Sequence, residues 1–161
     1  MYKILSIAQA KKTARRLHKQ GKTIVLAGGC FDVLHSGHII FLKKAKKRGD
    51  ALFVLLESDE NVTKRKGKDR PINKLEKRAE KLSELSFIDF IIPLYGVTND
   101  AFYDKIVIQL RPSVIALTEG DPNTAQRKKQ SELVGGKVEF VTKRIEGFST
   151  TDLVNKGNID G

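Results

Sequence analysis

Apolar residues recur along this chain in two alternating rhythms. Ile7, Ala10, Ala14 and Leu17 return at helical spacing behind Ser6, which with Gln9 three residues later makes a capping box, so 6–20 reads as an amphipathic helix stopped by Gly21. A short β-rich run, 23–27, then leads into Gly28-Gly29 and reads as a buried strand feeding a tight loop. The pattern repeats: a helix over 37–48 (Ile39, Phe41, Leu42 and Ala45 as its apolar positions), a strand over 51–56, a helix over 74–86 capped by Asn73, and a strand over 88–92. Helices over 100–110 and 123–133 follow, with strands at 113–117 and 138–141 after them. Ser149 is expected to cap a last helix to about Lys156. Residues 57–73 are polar, basic and without period, with Gly67 and Pro71 as punctuation, and read as a solvent-facing loop.

Short strands separated by helical stretches predict an α/β fold: an open parallel five-stranded sheet with helices on both faces and right-handed crossovers. At 161 residues the chain is expected to be a single domain over 1–161, with 1–22 as an N-terminal helical extension. One cysteine excludes a disulfide scaffold. The longest apolar runs are a few residues, so neither a transmembrane span nor a secretory leader is expected, and a reduced, cytoplasmic setting follows. Thirty Lys and Arg against nineteen Asp and Glu leave a net charge of +11, which favours anionic partners without choosing among nucleotides, sugar phosphates, nucleic acid and membrane surfaces.

Chemistry concentrates in the stretch from Gly28 to His38, GGCFDVLHSGH, which leaves the first strand and opens a helix at the carboxyl end of the sheet. Ligands bind there in open α/β sheets because strand-end loops and unpaired helix amides converge. Adjacent glycines let a phosphate approach the backbone, Gly37 permits a turn, and His35 and His38 can then donate to oxygens that carry charge in a transition state. Half a zinc site with Cys30 or Asp32 is a rival reading, as is ordinary packing. A dinucleotide fingerprint is a weaker one, because G-x-G-x-x-G is absent.

The same stretch resembles the HxGH signature of the nucleotidyltransferase superfamily in its cytidylyltransferase-like form. The likeness spans about residues 4–155 and is strongest to the D-glycero-β-D-manno-heptose 1-phosphate adenylyltransferases. It extends to glycerol-3-phosphate cytidylyltransferases and archaeal-type FAD synthetases. Further blocks carry it: Leu42–Asp50, Ser58-Asp59, Lys66–Asn73, Glu76-Lys77-Arg78 and Arg144–Thr151. One block departs, since Thr118-Glu119-Gly120-Asp121-Pro122 stands where the heptose enzymes carry a Lys-Gly-Gly-Asp-like run.

The resemblance implies a Rossmann-like fold and transfer of a nucleoside monophosphate, AMP favoured, from ATP or CTP to a small phosphorylated acceptor such as a sugar 1-phosphate, with release of pyrophosphate. It implies His35, His38 and Lys46 as catalytic residues. Gly29, Cys30, Phe31, Asp32, Gly37, Glu119, Asp121, Phe148, Ser149, Thr150 and Thr151 would line the nucleotide site. Lys68, Arg70, Arg78 and Arg144 would serve the acceptor. Mg2+ would be held mainly by substrate phosphates, with Asp32 as an indirect partner, and the chain would pair as a homodimer. Cytidylyl transfer to a polyol or choline phosphate and FAD synthesis from ATP and FMN are the alternatives within the class. From another class comes a basic nucleic-acid-binding module, motivated by Lys64-Arg65-Lys66 and Arg127-Lys128-Lys129. The positives are spread over several helices without a reader motif, so neither nucleic acid nor membrane is an expected partner.

Overall fold

In the computed structural model, which describes residues 2–144, strand and helix alternate as the periodicity predicts. The elements are α1 (Ile7–Lys19), β1 (Ile24–Gly29), α2 (Ser36–Lys46), β2 (Ala51–Leu56), α3 (Asp59–Lys66), α4 (Leu75–Ser83), β3 (Phe90–Pro93), α5 (Asp100–Leu110), β4 (Val114–Thr118), α6 (Thr124–Glu132) and β5 (Lys137–Thr142). The strands form one parallel sheet in the order β3-β2-β1-β4-β5. That order reverses between β1 and β4, which makes the carboxyl end of β1 the topological switch point.

Each face of the sheet is covered by its own set of helices. Ile24 and Leu26 of β1 point into a core shared with α1 and α5, through Ala10, Ala14, Tyr103 and Ile106. Val25 and Ala27 point the other way, against Leu42 and Ala45 of α2 and Ala79 and Leu82 of α4. The leading helix is built into the first of these cores, and its Ser6–Gln9 capping box forms as its sequence requires.

Three local readings change, the first being that α4 has Lys74 rather than Asn73 as its N-cap, without a side-chain cap hydrogen bond. Strand β1 runs on through both glycines, because Gly28 and Gly29 pair in register with Leu55 and Leu56. Residues 57–73 are not a plain solvent loop: they contain α3, and Glu57, Ser58, Asn61, Val62 and Arg70 are buried. Only Val62 gives α3 an inward apolar position, so no hydrophobic period announces it. Its signal is polar instead: Ser58 accepts from the Asn61 amide, Asp59 and Glu60 occupy the first turn, and Lys64, Arg65 and Lys66 occupy the last, all matching the helix dipole. The helix expected from Ser149 lies outside the described residues. No helix among the described residues is long and apolar enough to cross a membrane.

Candidate active site

The loop that leaves β1 is folded around Phe31. This residue sits at φ +45°, a left-handed conformation uncommon for a bulky side chain, and its ring is buried. Gly29 lies against that ring so closely that a β-carbon there would come within 2.9 Å of Phe31 Cε2. On its other side Phe31 meets His38 edge-on, with ring centroids 5.2 Å apart. Phe31 is therefore the packing support of the loop, and Gly29 leaves room for it.

His35 and His38 come together as the resemblance implies. Their rings stack with centroids 3.7 Å apart and planes 24° apart. His35 is the N-cap of α2, and its Nδ1 accepts from the Gly37 amide at 3.1 Å. With Nδ1 an acceptor, the neutral ring carries its proton on Nε2. Burial pulls the His35 pKa below the ordinary imidazole range, and the charge of Lys66 adds to this. His38 is lowered further, to about 3, first by burial, then by His35 and Lys66, with the Val33 backbone opposing weakly. Its buried Nδ1 makes no well-formed hydrogen bond among the described residues. At neutral pH the result is two uncharged imidazoles at the opening of a helix whose dipole favours an anion.

Lys66 is the residue that sequence reasoning placed elsewhere. It ends α3, and its charge reaches His35, His38 and the Cys30 thiol, with Arg65 also acting on Cys30. Burial nevertheless dominates at Cys30 and raises its pKa, so this thiol is a poor nucleophile. The signal for Lys66 was its place in a basic run following a cappable Ser58, which only a helix converts into proximity.

Lys46 does not join the site. It lies at the far end of α2, roughly 15 Å along an eleven-residue helix from the histidines. There its Nζ donates to Asp89 Oδ2 at 2.7 Å and to the Asp50 carbonyl at 2.6 Å, at the amino end of the sheet. Helix α2 runs antiparallel to the strands, so its start and its end necessarily occupy opposite edges.

Asp32 and Arg78 serve the scaffold. Asp32 has a fully buried side chain that accepts from Arg70 Nε and the Ile72 and Asn73 amides, tying the glycine loop to the segment before α4. It is committed on both oxygens and closed to solvent, which does not suit a magnesium ligand. Arg78 is 1% exposed and donates to the carbonyls of Asn73, Cys30 and Glu57 and to Asp59 Oδ1. One guanidinium thus joins the ends of β1, β2, α3 and α4, with no face left for an acceptor. Arg70 is also buried, but its Nη2 has no hydrogen-bond partner among the described residues.

Lys68 is exposed on the loop after α3. Glu119 is exposed beyond β4 and Arg144 lies alongside Gly120, so these two and Asp121 gather at the β4–β5 end of the edge. Phe148, Ser149, Thr150 and Thr151 lie outside the described residues. Among the described residues no three His, Cys, Asp or Glu side chains group as metal ligands, and the zinc reading has no support from the stacked rings.

A second feature adjoins the glycines on the opposite face. An open cleft lies between β1, β4, α5 and α6, with Glu57, Arg65, Tyr103, Asp121, Arg127 and Gln130 as its polar lining. Glu57 is buried at the end of β2 and is held by the Ser58 amide, Asn61, Thr98 and a short hydrogen bond from Tyr103. That contact and desolvation push the Tyr103 hydroxyl well above its ordinary pKa, desolvation being the larger cause.

The sequence profile of the cytidylyltransferase-like family matches residues 26–156. The chain belongs to the cytidylyltransferase-like family. It is 39% identical over 155 residues to the bifunctional protein HldE of Coxiella burnetii (strain Dugway 5J108-111), covering 95% of this chain and 30% of that protein. With the protein of the same name from Haemophilus influenzae (strain PittEE) it shares 34% over 155 residues, covering 95% and 31%. The chain thus spans about three-tenths of the length of these curated relatives. Among solved structures, a lipopolysaccharide core biosynthesis protein from Thermoplasma volcanium superposes with a TM-score of 0.61 at 32% identity, covering 80% of this chain and all of that one. Pantoate-beta-alanine ligase from Francisella tularensis superposes at 0.68 with 16% identity, covering 99% of this chain and 78% of that one, a likeness of fold alone. The reaction class of this family is nucleotidyl transfer, and the HxGH histidines fall within the matched residues.

Proposed function

We propose that this chain transfers AMP from ATP to a sugar 1-phosphate, with heptose 1-phosphate as the leading acceptor, and releases pyrophosphate. The observation that carries the reading is the stacked, uncharged His35–His38 pair at the opening of α2, with the Lys66 charge beside it. The relatives named HldE support the choice of acceptor.

The chemistry asks little of a general base, because an acceptor phosphate is already an oxyanion near neutral pH. Its oxygen attacks the α-phosphorus, the bond to the bridging oxygen breaks, and pyrophosphate carries away the electron pair. The protein must position the reactants and stabilise charge that builds on phosphate oxygens. His35 donates from Nε2 and is kept in that tautomer by the Gly37 amide. His38 is fixed between His35 and Phe31. Each ring carries a preorganised N–H into a desolvated place, where removing one such donor costs about 10²–10³-fold in rate. Lys66 supplies the full positive charge, and sequence resemblance adds Ser149 and Thr150 as partners of the β- and γ-phosphates. Mg2+ enters as the counter-ion of the triphosphate, as part of the substrate. The reading also carries a homodimer from the family resemblance and a cytoplasmic setting from the sequence composition, and solution mass measurement tests the first.

The experiment is a matrix of ATP and CTP against heptose 1-phosphate, glycerol 3-phosphate and FMN with Mg2+, reading pyrophosphate. ATP with heptose 1-phosphate is expected to lead. Preference for CTP with glycerol 3-phosphate, or for ATP with FMN, replaces the substrate assignment. Absence of acceptor-dependent release across the panel removes it.

A further inference from the structure

The cleft between β1, β4, α5 and α6 takes no part in the donor chemistry described above. We propose that it holds the body of the acceptor, a polyhydroxylated sugar phosphate, with Arg127 as a specificity-determining residue and Arg65 gripping the acceptor phosphate. The proposal rests on the reading of the reaction just given and deepens it.

Direction comes first. Attacking and leaving oxygens lie on opposite sides of the transferred phosphorus, so a donor whose pyrophosphate is held on the α2 side needs its nucleophile from another side. The end of β1 separates the two regions, and it consists of Gly28 and Gly29, which place no side chain between them. The cleft opens on the far side of those glycines.

Its lining then names the ligand class. The floor is apolar, from Leu26, Leu55 and Ile115, and suits the C–H face of a sugar. The wall is polar, from Asp121, Arg127 and Gln130, and suits hydroxyls. A nucleobase is a poorer fit. The aromatic ring of the cleft, Tyr103, is 8% exposed, and the Arg127 guanidinium lies over it with Cζ 4.5 Å from the centroid, so that ring is not a free stacking platform.

Arg127 is held but not used up. Nη1 donates to Gln130 Oε1, and Gln130 is anchored in turn by Asp104. The other guanidinium N–H groups have no protein acceptor among the described residues. Glu57, by contrast, is engaged on both oxygens by Asn61, Thr98 and Tyr103, so the carboxylate beneath the cleft is not available to neutralise an incoming arginine partner. Arg65 is exposed, lines the cleft, and stands close enough to the glycine loop for its charge to act on Cys30. It therefore borders both the glycine loop and the cleft.

The test is steady-state kinetics with ATP and heptose 1-phosphate on Arg127→Met and Arg65→Met, each checked for an unchanged thermal midpoint. Arg127→Met is expected to raise the acceptor KM at least tenfold and to leave the ATP KM within twofold. It should also shrink the wild-type preference for heptose 1-phosphate over mannose 1-phosphate. Arg65→Met, on an exposed helix face, is expected to raise the acceptor KM and lower kcat. A rise in the ATP KM alone would make the cleft a nucleoside pocket, and no change in either KM would leave it without a role; both overturn the proposal. If the wild-type chain turns over no sugar phosphate, the proposed reaction fails separately. Equilibrium binding of heptose 1-phosphate to wild type and Arg127→Met then decides the cleft: weaker binding by the variant supports it, and equal binding or none overturns it.

Discussion

Two kinds of polar side chain surround the loop after β1, and their difference separates scaffold from candidate chemistry. Arg78 and Asp32 are consumed by their surroundings: carbonyls, amides and opposite charges meet them on each side. The histidine rings are held just as firmly, by stacking, by Phe31 and by the Gly37 amide, yet they are kept uncharged in a cationic neighbourhood, and His38 Nδ1 makes no well-formed hydrogen bond among the described residues. Desolvating an imidazole beside lysine costs free energy that the contacts among the described residues offset only in part, since the His38 pKa stays lowered despite the Val33 backbone. A triphosphate would return it, which is why perturbed, incompletely bonded groups mark sites and saturated ones mark frames.

The sharpest way to break this contrast is to remove one member of each set. His38→Ala is expected to lower kcat by about 10²–10³-fold while the circular dichroism spectrum and thermal midpoint stay near wild type. Large unfolding instead would make the ring a packing residue. Arg78→Met should do the reverse, costing roughly 3 kcal/mol in denaturant unfolding by leaving buried carbonyls and Asp59 without their donor. A variant that unfolds like wild type but loses acceptor affinity would restore Arg78 to the binding site.

Titration sharpens the comparison next. His38 is unprotonated in the folded chain down to about pH 3, whereas the unfolded chain takes up the proton near 6.5. The unfolded state then binds more protons between those values. Stability is full above about pH 6.5 and is lost as pH falls, by up to about 1.4 kcal/mol per pH unit for one such group. His35 adds to the loss in the same direction. Between pH 6.5 and 5, above the range where carboxylates protonate, His38→Gln should flatten the slope of unfolding free energy against pH. An unchanged slope would remove the assignment of a neutral, desolvated His38.

The two lysines give the smaller effects. Lys66→Met should raise the ATP KM roughly tenfold, as expected for loss of one charged hydrogen bond to phosphate. Lys46→Met should leave kcat and both KM values unchanged. Its half-exposed pair with Asp89 is worth about 1 kcal/mol at most. A kinetic defect at Lys46 would contradict its place at the amino edge of the sheet.

How far the residues themselves disclosed this depends on the kind of signal. Parallel strands and their covering helices were legible because burial imposes a period, and the Gly-Gly turn followed by two histidines was legible because those residue types have few other uses in that order. Helix α3 was not, since caps and charge order build it and Val62 alone turns inward. The resemblance put Lys46 with the histidines, but α2 runs antiparallel to the strands and carries it to the other edge, where it meets Asp89. Arg78 was visible as a positive charge, but the carbonyls that consume it come from Cys30 and Glu57, far off in sequence. The cleft escaped notice altogether, because Glu57, Tyr103 and Arg127 meet only after β2, α5 and α6 are assembled.

Because the strand order turns back beside β1, the helix that opens with the histidines and the pair α5–α6 lie on opposite sides of one sheet and share no packing layer. Changes of side chain along α5 and α6 can therefore remodel one chamber without shifting the rings on the other side. The architecture behaves as a fixed engine with an interchangeable fitting, which gives a physical route for one ancestral catalyst to acquire new molecules to modify while its bond-making step stays untouched.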